Sequence, residues 1–240
     1  ARDEVIRHLM SGDAMGYTNA AGLMSLRRRI ARHYADGDGV TVDAERVTVV
    51  AGASAGFSLA FLAAFDAGQR VGIIEPGYPC YRNTLLALGV QPVSIAVDAS
   101  TRWAPTPELL DAAGPLDGLV IASPSNPTGT ALGTAAMASV VRWCAGHEVQ
   151  LIADEIYRGI TYGVEAPTVL AHTDQAVVVN SFSKYYTMTG WRLGWMVVPA
   201  HLADAVERLQ QNLYICASHV SQIAGMAAFD CTADLDGHVL

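Results

Sequence analysis

Charged residues are scarce in this sequence: only 16% of its 240 residues are Asp, Glu, Lys or Arg, against roughly 25% in typical domains. Hydrophobic residues make up 51% of the chain, which is long enough for one large α/β domain with a buried sheet. A chain this apolar is expected to cover both faces of its sheet and to bury an interface as well.

Basic clusters and long apolar runs are also lacking. The longest basic run is the triplet of residues 27–29, and the formal net charge is −8. Nucleic-acid binding needs a clustered basic face, so we predict no nucleic-acid partner. No stretch approaches the ~20 apolar residues of a membrane helix, and residues 1–10 lack the apolar segment of a secretory signal. We therefore predict no membrane association.

Cysteine and histidine patterns argue against two further classes of protein. The four cysteines are far apart and form no C-x-x-C pair, and the seven histidines show no metal-ligand spacing. The spacing favours neither a disulfide framework nor a metal site. Reduced thiols in a cytoplasmic protein are the simplest prediction.

Short runs rich in Val, Ile and Leu alternate with segments whose apolar residues recur at helical spacing. This alternation predicts βαβ units, a mostly parallel sheet and a three-layer α/β/α fold with helices on both faces. The predicted strands are residues 46–50, 71–75, 91–97, 118–123, 149–154, 175–181 and 193–198. The predicted helices are residues 23–34, 54–65, 81–89, 134–146 and about 200–213.

The first predicted strand is followed by the small residues Gly52, Ala53 and Ser54, which lead into a helix. In open α/β sheets, ligands bind beyond the carboxyl ends of the strands. Such a turn exposes backbone N–H groups and the positive end of the helix, which suits a phosphate. The alternative is a tight turn in which Ser54 is the N-cap.

Two later strands also end in polar residues. Asn126 lies in a rigid loop of prolines and a glycine, where it could also bond its own backbone in a turn. Asp154 ends the strand at 149–154, and Glu155 and Tyr157 come directly after it. A carboxylate there is partly buried and needs a partner or a cation, although a helix cap or a structural ion pair would also explain it.

The stretch "SFSKYYTMTGWRLGW" begins at the last residue of the strand at 175–181 and contains Ser181, Lys184 and Arg192. Taken alone, a loop lysine is usually solvated and an arginine is usually a surface or ion-pair residue. The residues are more informative together, because small residues, Asn, Asp, Tyr, Lys and Arg occur in order at successive strand ends.

This order resembles the class I/II aminotransferases, which are pyridoxal-phosphate (PLP) enzymes of the aspartate aminotransferase fold, fold type I. The matching motifs cover roughly residues 16–215, and the last three are highly specific. They are "GYTNAAGLMSLRRRIARHY", "GAS", "EPGYPCYR", "SPSNPTGT", "ADEIYRGITY" and "SFSKYYTMTGWRLGW".

The resemblance implies roles around the ring of the cofactor. Lys184 matches the lysine that forms a Schiff base with PLP and moves the proton of the substrate. Asp154 matches the carboxylate that pairs with the pyridine nitrogen, and Asn126 and Tyr157 match residues that hydrogen-bond the phenolate oxygen. Tyr78 matches the aromatic that stacks on the ring, although it could also be an ordinary turn tyrosine.

The resemblance also implies a phosphate site. Arg192 and Ser181 match phosphate ligands, and the planar guanidinium suits bidentate binding of phosphate oxygens. Backbone N–H groups of residues 52–54 would complete the site, because Ala53 stands where many relatives carry a side-chain donor. Tyr17 matches a tyrosine that reaches the phosphate of the neighbouring subunit, which implies a homodimer with a shared active site. Local packing of Tyr17 is the alternative.

For the whole chain, the resemblance implies the large PLP-binding domain at residues 37–215. Residues 1–36 are expected to form a helical segment near the dimer interface, and residues 216–240 to start the connection to a smaller domain. Relatives are longer, and their arginine that clamps the substrate carboxylate has no match here. We therefore expect a piece of a longer protein that does not transaminate alone. The implied function is transfer of an amino group between an amino acid and a 2-oxo acid, with the particular substrates left open.

Three alternatives to transamination remain open. The same residues serve other PLP reactions, such as those of a C–S lyase, a cyclopropane-forming synthase or an oxidase, because PLP performs the electron chemistry. A PLP-binding regulatory domain would need an added basic helix-turn-helix. An unrelated nucleotide-binding domain would need a G-x-G-x-x-G or Walker A motif, and the sequence contains neither.

Overall fold

A computed structural model describes residues 1–239 of the chain. Seven strands within these residues form one sheet, and each predicted strand overlaps an observed one. The strands are β1 (Val47–Val50), β2 (Arg70–Glu75), β3 (Gln91–Ala96), β4 (Gly118–Ala122), β5 (Gln150–Asp154), β6 (Val177–Ser181) and β7 (Gly194–Val197).

Helices surround this sheet, and each of the predicted helices is confirmed to within two residues at its start. Short 3₁₀-helices occupy Ala44–Arg46, Ala99–Thr101, Val169–Ala171, Thr189–Trp191 and Phe229–Cys231. The α-helices of the described residues are α1 (Arg2–Ser11), α2 (Met24–Asp38), α3 (Ala53–Ala64), α4 (Pro79–Ala87), α5 (Pro107–Ala112), α6 (Thr134–Gly146), α7 (Ala200–Leu213), α8 (His219–Ala228) and α9 (Thr232–Val239).

The sheet is parallel except for one strand. Its order is β1-β7-β6-β5-β4-β2-β3, and β7 runs antiparallel to both of its neighbours. The prediction of a mostly parallel sheet is therefore confirmed. Because β7 is reversed, its amino end lies at the same edge as the carboxyl ends of the other strands. The segment that precedes β7 therefore meets, at this edge, the segments that follow the parallel strands.

Both faces of the sheet are covered, as the apolar strands predict. Alternate residues of a strand point to opposite faces, and the two hydrophobic clusters divide accordingly. Val120, Ile152 and Val179 belong to the cluster that includes the apolar residues of α3, α4 and α7. Leu119 and Leu151 belong to the cluster that includes those of α2, α6 and α8. The fold is therefore the predicted three-layer α/β/α arrangement.

The composition of the helices agrees with their depth in the fold. Helix α3 is apolar on almost all sides and lies between the sheet and α7, as expected of a helix buried on several faces. Helix α4 begins at Pro79, where the missing N–H costs nothing and the fixed φ suits the first turn. None of the helices within residues 1–239 is long and apolar enough to span a bilayer.

Candidate active site

A cavity of about 240 Å³ lies at the sheet edge where the carboxyl ends of the parallel strands meet. Its walls come from segments that follow β1, β2, β4, β5 and β6 and from the segment that precedes β7. Eight residues named from the sequence line it together: Ala53, Ser54, Tyr78, Asn126, Asp154, Tyr157, Lys184 and Arg192.

Asp154 is the buried acid of this cavity. It is the last residue of β5, and its side chain is 4% exposed. Its Oδ1 accepts a hydrogen bond from the N–H of Ile156 at 3.0 Å, and its Oδ2 accepts one from the hydroxyl of Tyr81. Burial raises the pKa of Asp154 to about 6, although the hydrogen bonds from Tyr81 and Ile156 oppose the rise. Both partners are neutral, so the carboxylate lacks the cation that its burial calls for.

Tyr81 is a site residue that the sequence reasoning missed. It lies in α4, and its ring packs edge-on against Phe57 and Tyr78, with ring centroids 5.1 and 5.7 Å away. Burial and the charge of Asp154 raise the pKa of Tyr81, so the phenol stays a donor to that carboxylate. The sequence "YPCY" (78–81) contained a signal for it. Tyr81 lies three residues after Tyr78, and residues three apart at a helix start lie on the same side.

Lys184 follows β6 by three residues and is the only lysine of the chain. It lies in a turn closed by a 2.9 Å hydrogen bond from the N–H of Thr187 to the carbonyl of Lys184. Its Nζ is 5.6 Å from the centroid of the Tyr157 ring, within cation–π range. The amine and the carboxylate of Asp154 therefore share one cavity, as the sequence predicts.

The start of α3 and Arg192 form a site suited to an anion. Gly52 is the N-cap of α3, has a φ of 82° and makes no side-chain cap bond, so the alternative of Ser54 as N-cap is wrong. A Cβ on Gly52 would overlap the guanidinium of Arg192. Arg192 donates from Nη1 to the carbonyl of Thr189 at 3.1 Å. The N–H groups of a first helical turn have no partner within the helix, and together with a guanidinium they can bind a phosphate.

Three site residues named from the sequence lie outside the cavity lining: Gly52, described above, Ser181 and Tyr17. Ser181 is buried, and its hydroxyl donates to the carbonyl of Leu193 at 3.2 Å and accepts from the N–H of Ser183 at 3.0 Å. Ser183 lines the cavity instead. Tyr17 is 82% exposed in the segment between α1 and α2 and lines a separate surface depression. The roles of these residues stay predictions.

The cavity thus combines a buried acid, the only lysine of the sequence and a helix start suited to an anion. This is the kind of small-molecule site that α/β enzymes place at this edge of the sheet. The sequence profile of aminotransferase class I and II matches residues 1–237, and the chain belongs to that family.

Relatives and solved structures agree with this assignment. A valine–pyruvate aminotransferase from Mycobacterium tuberculosis is 48% identical over 230 residues, which cover 94% of this chain and 59% of that protein. A (5-formylfuran-3-yl)methyl phosphate transaminase from Methanocaldococcus jannaschii is 31% identical over 233 residues, which cover 95% of this chain and 60% of that protein. The chain thus spans about three fifths of the length of these curated relatives.

The fold is shared with solved aminotransferases. The crystal structure of an aminotransferase from Mycobacterium tuberculosis has a TM-score of 0.96 at 46% identity and covers 99% of this chain, which spans 66% of that one. A mutant of the aspartate aminotransferase from Thermus thermophilus has a TM-score of 0.92 at 25% identity, with 99% and 66% covered. The seven-stranded sheet is therefore the sheet of this enzyme family.

Proposed function

We propose that the full-length protein is a PLP-dependent aminotransferase that moves an amino group between an amino acid and a 2-oxo acid. The observation that carries this proposal is the placement of Lys184, Asp154 and Arg192 around one cavity. Family membership supports it, because the relatives named above are aminotransferases.

The residues of the cavity fit PLP at both ends. At one end, the buried carboxylate of Asp154 has only neutral partners and can pair with a protonated pyridine nitrogen. At the other end, the N–H groups at the start of α3 and the guanidinium of Arg192 can bind a phosphate. We propose that Asn126 and Tyr157 bond the phenolate oxygen and that Tyr78 stacks on the ring.

Bound PLP would supply an aldehyde that links to amines and a ring that accepts an electron pair. Asp154 would have to stay ionised to keep the pyridine nitrogen of PLP protonated. The hydrogen bond from the Tyr81 hydroxyl favours the ionised form of Asp154. The Nζ of Lys184 attacks a carbonyl only when it is unprotonated. The same atom lies in the cavity, where it could take the proton from the α-carbon of a bound substrate.

Assembly and domain limits belong to the same proposal. The exposed Tyr17 supports a homodimer in which this residue reaches the phosphate site of the partner subunit. We propose that residues 1–36 lie near that interface, that residues 37–215 form the large cofactor domain, and that residues 216–240 start the connection to a smaller domain. A cytoplasmic location stays a prediction from the cysteine pattern.

Turnover of the full-length protein tests the proposed reaction. The relative at 48% identity makes valine and pyruvate the first substrates to try. We expect valine to remove the visible absorption of the lysine-bound cofactor and a 2-oxo acid such as pyruvate to restore it. Release of ammonia, or of pyruvate from a sulfur amino acid, without any requirement for an oxo acid would instead favour one of the other PLP reactions.

Tyr81→Phe is expected to weaken PLP binding about tenfold or more, because a hydrogen bond to a charged group is worth about 1.5–3 kcal/mol. Removing the donor raises the pKa of Asp154 further and leaves less carboxylate to pair with the ring. The measurement is a PLP titration of the cofactor-free protein.

Tyr186→Phe is the matched control for this experiment. The change removes another buried hydroxyl, one that has no hydrogen-bond partner within residues 1–239. Equal PLP affinities for Tyr81→Phe and Tyr186→Phe would contradict the role of Tyr81.

A further inference from the structure

The turn at residues 154–158 has two functional faces. Asp154 and Tyr157 line the cavity, whereas Glu155 and Arg158 make their contacts with α2 and with the segment at 166–169. Strand alternation explains the division, because Asp154 continues the face of Ile152 and Glu155 continues the opposite face.

Glu155 is anchored inside the protein by several hydrogen bonds. Its side chain is 1% exposed, and its Oε1 accepts bonds from the hydroxyl of Thr168 at 2.9 Å and from the N–H of Val169 at 2.8 Å. Its Oε2 accepts a bond from Nη1 of Arg158 at 3.3 Å. The carboxylate is therefore satisfied away from the cavity.

The guanidinium of Arg158 is held from three directions. Its Nη2 pairs with the carboxylate of Asp38 at the end of α2, and its Nε donates to the carbonyl of Ala166 at 3.1 Å. Nη1 reaches Glu155, and the ring of Tyr34 lies 5.9 Å away. All three charged side chains are largely buried, so they form one ion-pair cluster that we call the Asp38–Arg158–Glu155 cluster.

Tyr157 stands on a turn and not on a strand or a helix. The N–H groups of Arg158 and Ile160 donate to carbonyls within the turn, and the N–H of Glu155 ties the start of the turn to Val179 of β6 at 2.9 Å. The link to Asp38 fastens the turn to a helix that is distant in sequence. A site group on a loop keeps its geometry only when neighbouring residues hold it there.

We infer that the Asp38–Arg158–Glu155 cluster positions Tyr157 for its contact with the bound cofactor, so that Asp38 and Arg158 are positioning residues of the active site. The inference rests on the proposed function. Asp154 is held independently by β5 and by its two hydrogen bonds, so the effect of the cluster falls on Tyr157.

Asp38→Asn is the informative variant. Removal of Arg158 would leave two buried carboxylates without a cation and could prevent folding, whereas asparagine still offers the guanidinium an acceptor. Asp36→Asn is the matched control, since it makes the same charge change on an exposed residue of the same helix. Thermal unfolding of both variants checks that they remain folded.

PLP binding to the cofactor-free full-length protein measures the effect. We expect Asp38→Asn to weaken binding roughly tenfold, the lower end of the loss when residues supporting a ligand are changed, and Asp36→Asn to leave it unchanged. In a Tyr157→Phe background the additional loss from Asp38→Asn should nearly vanish, because contacting groups are not additive. An equal loss in both backgrounds, or equal affinities for Asp38→Asn and Asp36→Asn, would overturn the inference.

Amide hydrogen exchange without PLP separates this inference from the proposed function. Asp38→Asn should speed exchange at residues 156–160 and leave β5 unchanged, whatever ligand the cavity takes. Unchanged exchange at 156–160 would refute the positioning role. Failure of the wild-type protein to bind PLP would refute the proposed function and the cofactor contact of Tyr157, whereas faster exchange in Asp38→Asn would still show that the cluster holds the turn.

Discussion

Lys184→Ala should abolish the covalent attachment of PLP to this chain and lower the turnover of the full-length protein by about 10⁴-fold or more, because the amine is proposed both as nucleophile and as proton carrier. The measurement is borohydride reduction of the PLP-treated protein followed by mass analysis of its peptides. Because Lys184 is the only lysine among the 240 residues, the chain offers no second lysine side chain that could form the reduced adduct.

Lys184→Arg separates the loss of the amine from the loss of positive charge. It keeps a cation beside Tyr157 but offers no nucleophile, so it should fail to form the adduct just as Lys184→Ala does. A reduced adduct on the peptide of residues 180–190 in either variant would contradict the assignment of Lys184.

Asp154→Asn should stabilise the cofactor-free protein at neutral pH while lowering turnover roughly 10³-fold, the scale seen when one electrostatic group of an active site is removed. Burial raises the pKa of Asp154 from 3.8 to about 6. Between these pH values the folded state still holds the proton that the unfolded chain has released, so stability falls as the pH rises through this window. Above pH 6 the buried charge costs up to about 3 kcal/mol, and the neutral amide avoids this cost.

Thermal unfolding of the cofactor-free wild type and Asp154→Asn at pH 4 and pH 8 tests the predicted direction of the stability change. Asp154→Asn should melt above the wild type at pH 8, and the difference should nearly vanish at pH 4. Saturating PLP should reverse the order at pH 8, since binding stabilises only the protein that can hold the cofactor. A variant that melts below the wild type at pH 8 without PLP would show that the acid is satisfied in some other way.

Strand periodicity explains why part of the site was accessible from the sequence. The strand pattern drew attention to both Asp154 and Glu155, and only the family resemblance assigned the cofactor role to Asp154. Alternation places the two on opposite faces, and only the packing of α3 and α4 against the Ile152 face shows which one meets the cavity. The separate roles of adjacent acids are therefore a tertiary property.

Other site residues escaped prediction because their chemistry is ordinary in sequence. In the sequence, Tyr81 is indistinguishable from the apolar residues of α4, and only the fold shows that its hydroxyl donates to Asp154. Ser181 and Ser183 are both serines next to Lys184, and the connection to β7 decides that the first bonds the carbonyl of Leu193 while the second lines the cavity.

The fold was predicted best where periodic segments are long. The segments of α2, α3, α6 and α7 carry clear helical spacing, whereas α5 has only six residues and α8 and α9 are rich in small residues. The reversal of β7 could not be predicted, because an apolar strand has the same composition in either direction.

The reversed strand has a consequence for motion. Parallel neighbours need a long crossover, but β6 and the antiparallel β7 are joined by residues 182–193 alone, which carry both Lys184 and Arg192. Both ends of this loop continue into paired strands of the same sheet. A hinge motion between domains would therefore not separate the amine of Lys184 from the guanidinium of Arg192. If closure over a substrate occurs, it must move other parts of the protein towards this fixed pair.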